Sequence, residues 1–144
     1  MPNNFGNSFV KALINSPFHF LLGPNVALVT VTGRKTGNAI STPINVTREG
    51  TAYIAISTRT RTWWRNLRGG AVAQLRLAGQ TYQVHGEIAE SVDEVTEGLR
   101  RYFQQNPQLA KYFKVSLGAD GQPVQADLQR AATERVIIRF QPMP

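Results

Sequence analysis

Cysteine is absent from this 144-residue chain. That excludes disulfides, thiolate metal sites, iron–sulfur clusters and a cysteine nucleophile. Histidine is nearly absent: only His19 and His85 occur, which leaves no basis for a multi-histidine metal site. No run of apolar residues is long enough to span a bilayer. The apolar stretch after Lys11 is broken by Asn15, Ser16, Pro17 and His19, and it is too short and polar for a signal segment. Acids are scarce in the first part of the chain. Residues 1–86 hold nine basic side chains and a single acid, Glu49, whereas residues 87–144 hold seven basic and eight acidic residues. The positive field therefore belongs to the first part, and it attracts an anion or serves as a solubilising surface. No basic stretch is interleaved with stacking aromatics, so nucleic acid is not the expected partner. The expected setting is a reducing, cytoplasmic one.

What is present reads as one α+β domain over residues 1–144. Phe5, Phe9, Ala12 and Leu13 recur at helical spacing, which predicts a short helix over residues 6–15 ended by Pro17. Val26–Thr32 is β-branched and nearly all apolar, as in a strand buried on both faces. Residues 40–47 alternate, and Pro43 places them at a sheet edge or bulge. A turn at Arg48-Glu49-Gly50 leads into a strand over residues 51–57. Residues 62–67 read as a short helix capped by Thr62. Residues 72–77 and 81–88 form a hairpin around Ala78-Gly79-Gln80. Ser91-Val92-Asp93-Glu94 is a capping box that opens a helix carrying Val95, Leu99, Tyr102 and Phe103. Pro107 starts a second helix. Residues 123–132 suggest a third, and residues 136–140 a last strand. About six antiparallel strands, an N-terminal helix and a helical insertion before the last strand make a small split β-barrel the expected architecture.

Two strand connections carry the candidate chemistry. Gly33-Arg34-Lys35-Thr36-Gly37 combines flexible backbone, a hydroxyl and two cations, which suits a phosphate but equally an ordinary basic turn. It is not a Walker loop, since the spacing differs. Ser57-Thr58-Arg59-Thr60-Arg61-Thr62-Trp63-Trp64-Arg65-Asn66-Leu67 gathers hydroxyls, arginines and two tryptophans. That set suits acidic oxygens beside an aromatic wall, or a helix pinned to a barrel. Glu90, Asp93, Glu94 and Glu97 read as a solvated first turn favoured by the helix dipole. Tyr102 and Tyr112 lie on helices and line either a pocket or the core.

The combination of Thr-Val-Thr-Gly-Arg-Lys-Thr-Gly, then Ser41-Thr42-Pro43, a hairpin, Ser57 and Trp64-Arg65-Asn66-Leu67 resembles the deazaflavin-dependent nitroreductase family. Its members are also called F420-dependent quinone reductases, within the split β-barrel flavin-binding superfamily. The resemblance spans about residues 26–88. It implies an F420H2-dependent oxidoreductase that passes a hydride to a small hydrophobic acceptor such as a quinone, enone or nitroaromatic. F420 is the implied cofactor, with FMN the alternative. A non-catalytic carrier of F420, FMN, haem or a lipid is the rival function on the same fold. By the resemblance Gly33, Arg34, Lys35, Thr36 and Gly37 hold the phosphate or acidic tail. Ser41, Thr42 and Pro43 border the deazaflavin. Ser57, Thr58, Arg59 and Arg61 form the loop over it, and Trp64 and Asn66 anchor that loop. Ser57 is the candidate catalytic group as proton donor or ring contact, with a tyrosine or water as alternatives. Tyr102 and Tyr112 shape the substrate side. A homodimer is implied by the superfamily. Phe18, Phe20, Leu21 and Leu22 would serve a dimer face, a substrate lid or a peripheral membrane contact, and the sequence leaves the three open.

Overall fold

A computed structural model describes residues 26–144. The helix expected over residues 6–15, the apolar segment around Phe18 and His19 lie outside the described residues. The described chain forms one seven-stranded antiparallel sheet in the order β2-β1-β5-β6-β7-β4-β3, which curls into a half-barrel. The strands are β1 (Val26–Thr32), β2 (Ala39–Asn45), β3 (Thr47–Glu49), β4 (Ala52–Thr58), β5 (Ala71–Leu77), β6 (Gln80–Ala89) and β7 (Arg135–Pro142). A 3-10 helix, Trp63–Leu67, links β4 to β5. Between β6 and β7 come α1 (Val92–Gln105), a 3-10 segment Pro107–Phe113 and α2 (Gln125–Glu134).

The strand expected over residues 40–47 is two strands. It pairs with β1 as far as Asn45, and from Thr47 it pairs with β4 instead. Val46, at the crossing, is buried in the barrel interior. One continuous segment thus supplies both edges of the sheet, and β2 approaches β4 without bonding to it. Pro43 stands on the edge strand β2, where its missing N–H breaks no interior ladder. The β3–β4 turn is Gly50-Thr51, one residue later than expected, with Glu49 paired to Ala52.

Burial on both faces falls on a different strand from the one expected. In β1 burial alternates: Ala27, Val29 and Val31 enter the interior, and Val26, Leu28 and Thr30 are half-buried. In β4 Tyr53 and Ala55 point into the barrel while Ile54 and Ile56 meet the helices. β7 repeats this pattern, with Val136, Ile138 and Phe140 inside and Ile137 against the helices. The reason is layering: α1 and α2 pack on β7, and their apolar cluster takes in Ile54 and Ile56 of β4, so these two strands need apolar residues on both sides.

α1 begins as the sequence predicts. The Ser91 hydroxyl accepts from the Glu94 amide at 3.1 Å, and it donates to the Glu94 carboxylate at 2.9 Å. Its apolar stripe, Val95, Leu99, Tyr102 and Phe103, packs with Leu128, Ala131 and Ala132 of α2. Pro107–Phe113 winds as a 3-10 segment, ended by Lys114 at a φ of 56°. Trp63–Leu67 is also 3-10, and the Thr62 side chain makes no capping bond. Among the described residues no helix is long and apolar enough to cross a membrane. None of their His, Asp and Glu side chains form a group of three or more that could hold a metal ion.

Leu67 ties the 3-10 helix to the barrel. It is fully buried, and a Cβ added at Gly86 would sit 3.1 Å from its Cδ1. Leu67→Ala opens a cavity at this junction and lowers unfolding stability by about 2–5 kcal/mol in urea titrations.

Candidate functional site

The two strand connections singled out in the sequence lie side by side. The Arg34 amide donates to Asn66 Oδ1 at 3.0 Å, and the Arg34 guanidinium donates to the Arg68 carbonyl. Asn66 Nδ2 donates to the Trp63 carbonyl at 3.0 Å. One asparagine therefore clamps the β1–β2 turn to the connection after β4. The turn spends much of its own hydrogen-bonding capacity internally. The Gly33 amide donates to the Asn38 carbonyl, the Gly37 amide to the Gly33 carbonyl, and the Asn38 amide to the Thr36 hydroxyl. Gly37 takes a φ of 74°, which glycine adopts without strain. The amides of Gly33, Arg34 and Gly37 thus face protein acceptors. Lys35 is exposed and makes no hydrogen bond, ion pair or ring contact among the described residues.

The connection after β4 is held at each stage. Ser57 donates to the Thr58 carbonyl at 3.1 Å, and the same carbonyl accepts from Trp64 Nε1 at 3.1 Å. Trp64 is buried, with Arg65 and Arg68 over its ring at 5.6 and 5.1 Å. Arg68 grips Glu90 with two bonds of 3.0 and 2.9 Å. That grip holds the Glu90 carboxyl below its ordinary range. Arg59 turns to the helices: its guanidinium donates to the carbonyls of Glu90 at 2.5 Å and Ala132 at 3.0 Å. The sequence-predicted arginines thus part company. Arg34 and Arg59 fasten backbone to backbone, and Arg61 reaches across to β2, donating to the Thr42 hydroxyl at 2.5 Å.

A cavity of about 550 Å³ opens between the edge strand β2, the end of β4 and the helical layer. Ligand sites are typically about 300–1,000 Å³. Pro43, Ser57, Thr58, Arg61, Tyr102 and Tyr112 line it, and each was singled out in the sequence. Gly33, Arg34, Lys35, Thr36, Gly37, Ser41, Thr42, Arg59, Trp64 and Asn66 do not. Ser41 instead shares a 2.8 Å hydrogen bond with Thr30 across the β1–β2 pair. Trp63, from the segment singled out in the sequence, and Phe113, on the helical side expected to shape the substrate, also line it, and residues not anticipated complete the wall: Ile44, Asn45, Ile56, Leu109 and Arg135. Trp63 was readable as one of an adjacent pair of tryptophans. Arg135 carried no local signal; the ladder puts it opposite Thr58.

The wall divides by chemistry. Pro43, Ile44, Ile56 and Trp63 are apolar, and Tyr102 and Phe113 of the wall cluster with Phe103 behind them, ring centroids 5.3 to 6.2 Å apart. Among the described residues the cations come from Arg61 and Arg135, and no acid lines the cavity. Burial lowers the pKa of both arginines from the ordinary value. The same cause pushes the Tyr102 phenol up to about 12. Trp63 Nε1 is buried with no hydrogen-bond partner among the described residues.

Two outcomes follow from this geometry. Asn66→Ala removes both clamp bonds and lowers stability by about 1–3 kcal/mol. Hydrogen exchange at the Arg34 amide then accelerates, while the Gly37 amide, bonded inside the turn, keeps its protection. The second concerns pH. Tyr102 holds its proton more tightly folded than unfolded, so its contribution is full below about pH 10 and is lost as pH rises towards 12. Ultraviolet titration should show one late-ionising tyrosine, absent in Tyr102→Phe. The fall in stability over that window should shrink with it.

Comparison with solved structures finds the same fold at low identity. An F420-H2-dependent reductase, FDR-A, is 17% identical over 82% of this chain and 96% of its own, with a TM-score of 0.53. The haem-storage protein HutZ from Vibrio cholerae is 11% identical over 88% and 87%, also at 0.53. A NimC/NimA family protein from Clostridium acetobutylicum is 13% identical over 90% and 86%, at 0.50. A search of curated proteins finds no match. The family described as F420H(2)-dependent quinone reductase matches residues 14–127, which takes in the β1–β2 turn, the clamp and most of the cavity wall. The chain belongs to this family of F420-dependent reductases, built on the split β-barrel.

Proposed function

We propose that this protein passes a hydride from reduced F420 to a small electrophilic acceptor (a quinone, an enone or a nitroaromatic) within the cavity between β2, β4 and the helical layer. The observation that carries this reading is the wall itself: among the described residues, hydroxyls, flat apolar surfaces and two arginines converge there without one carboxylate. A tricyclic ring with ionised appendages meets complementary groups in such a space. When bound, the reduced deazaflavin supplies the hydride.

The chain's own residues orient and shield. Pro43, Ile44, Ile56 and Trp63 give a ring a dry surface and exclude water from the reacting face. The Ser57 hydroxyl, buried at the wall and bonded to the Thr58 carbonyl, can turn to a ring heteroatom or to a developing oxyanion. Tyr102, neutral at any working pH, can donate a hydrogen bond but does not act as a base. Lys35 is the candidate for an acidic tail running out past the β1–β2 turn. Arg34, Trp64 and Asn66 act on the site by holding the two connections together. Tyr112, largely exposed, stands at the acceptor's entrance.

Titration with F420 and with FMN, followed by tryptophan fluorescence, tests the cofactor. Micromolar binding of F420 with weaker binding of FMN is the expected result, since Trp63 forms part of the wall. Tighter binding of FMN would overturn the assignment. Stopped-flow oxidation of F420H2 by menadione then separates a reductase from a carrier, which would bind without turnover.

A further inference from the structure

Arg135 opens β7 and faces Thr58 across the ladder. Arg61 is hung from the same residue, because its amide donates to the Thr58 carbonyl at 3.3 Å. Two guanidinium groups thus reach one cavity from a common point at the ends of neighbouring strands. Their circumstances differ. Arg61 already donates to the Thr42 hydroxyl. The Arg135 guanidinium lies 4.9 Å over the Phe113 ring and makes no hydrogen bond or ion pair among the described residues. The nearest acid in sequence, Glu134, is exposed and does not line the cavity. Burial is the largest influence on Arg135 and works against its charge, with Glu134 a lesser, opposing one. A half-buried guanidinium has lost water without gaining an anion, and its planar fork matches a carboxylate with two parallel bonds.

We propose that Arg135 is a specificity-determining residue of the acceptor site, selecting an electrophile that carries a carboxylate over its neutral analogue. The proposal rests on the reading of this cavity as the place where the acceptor of the F420H2 hydride binds. A carboxylate there replaces the water the guanidinium has lost, whereas a neutral group of the same shape leaves the charge uncompensated. Phe113, stacked beneath, holds the guanidinium plane for that encounter.

The probes are 4-nitrobenzoate and 4-nitrobenzamide, close in shape and different in charge. Their binding to the cofactor-free protein is followed by quenching of tryptophan fluorescence. The wild type should favour the benzoate by about tenfold or more. Arg135→Gln should abolish the preference by weakening the benzoate alone, and Arg135→Lys should retain part of it. Equal binding of the two probes by the wild type overturns the proposal. So does an undiminished preference in Arg135→Gln, or an equal loss of both probes, which would make Arg135 a packing residue for Phe113. F420 binding is titrated in the same variants. Tenfold weaker F420 binding in Arg135→Gln, with probe preference intact, assigns the arginine to the cofactor and overturns the proposal. Failure of the wild type to bind F420 at all removes the parent reading instead, and the two failures are thereby distinct.

Discussion

The connection from β4 to β5 has to cross the mouth of a half-barrel, and everything at the site depends on where that crossing is held. It is held by backbone groups more than by charge. The Thr58 carbonyl receives both the Ser57 hydroxyl and the Trp64 indole, and the Arg34 amide is taken by Asn66. These bonds are short-range and directional, and beside them Trp63, Trp64 and Leu67 are buried in the barrel interior. Each fully buried large side chain contributes about 1.5–3 kcal/mol of transfer free energy. The polar bonds therefore need only set position, while the apolar residues supply the stability.

Charge is distributed unevenly in purpose as well as in sequence. The first part of the chain looks like an anion trap, yet much of its positive charge is structural. Arg34 and Arg59 serve backbone carbonyls, Arg68 serves Glu90, and Arg48 lies 5.3 Å over the Tyr53 ring. Among the described residues, what reaches the cavity is Arg61 from the first part and Arg135 from the second. The net field of a segment sets how strongly it draws an anion from solution. It does not say which guanidinium will meet that anion.

The split architecture explains how so short a chain makes a ligand-sized hollow. One segment leaves β1's side at Asn45, buries Val46, and joins β4's side at Thr47. β2 and β4 then approach one another without pairing, and the gap beside them is lined by Tyr102, Leu109 and Phe113 rather than by another strand. A fully hydrogen-bonded closure would have filled that space with side chains.

Local features were legible in the residues because their physics is local. The capping box at Ser91, the hairpin at Ala78-Gly79 and the edge role of Pro43 depend on groups within a few positions of one another. Ala78 and Gly79 take positive φ as their turn requires. The pairing of the Gly33–Gly37 turn with the Ser57–Asn66 segment was legible only as a resemblance. Three things lay beyond the sequence. The segment of residues 40–47 alternates continuously, so its change of partner at Val46 leaves no mark. Two-sided burial belongs to β4 and β7 because helices from later in the chain cover them. Arg135 enters the cavity only because the ladder sets it against Thr58, 77 residues earlier by their numbers. Composition and local pattern determined the kind of protein and the pieces of its site, whereas long-range strand pairing decided which of those pieces face the ligand, since register couples residues that no sequence window contains.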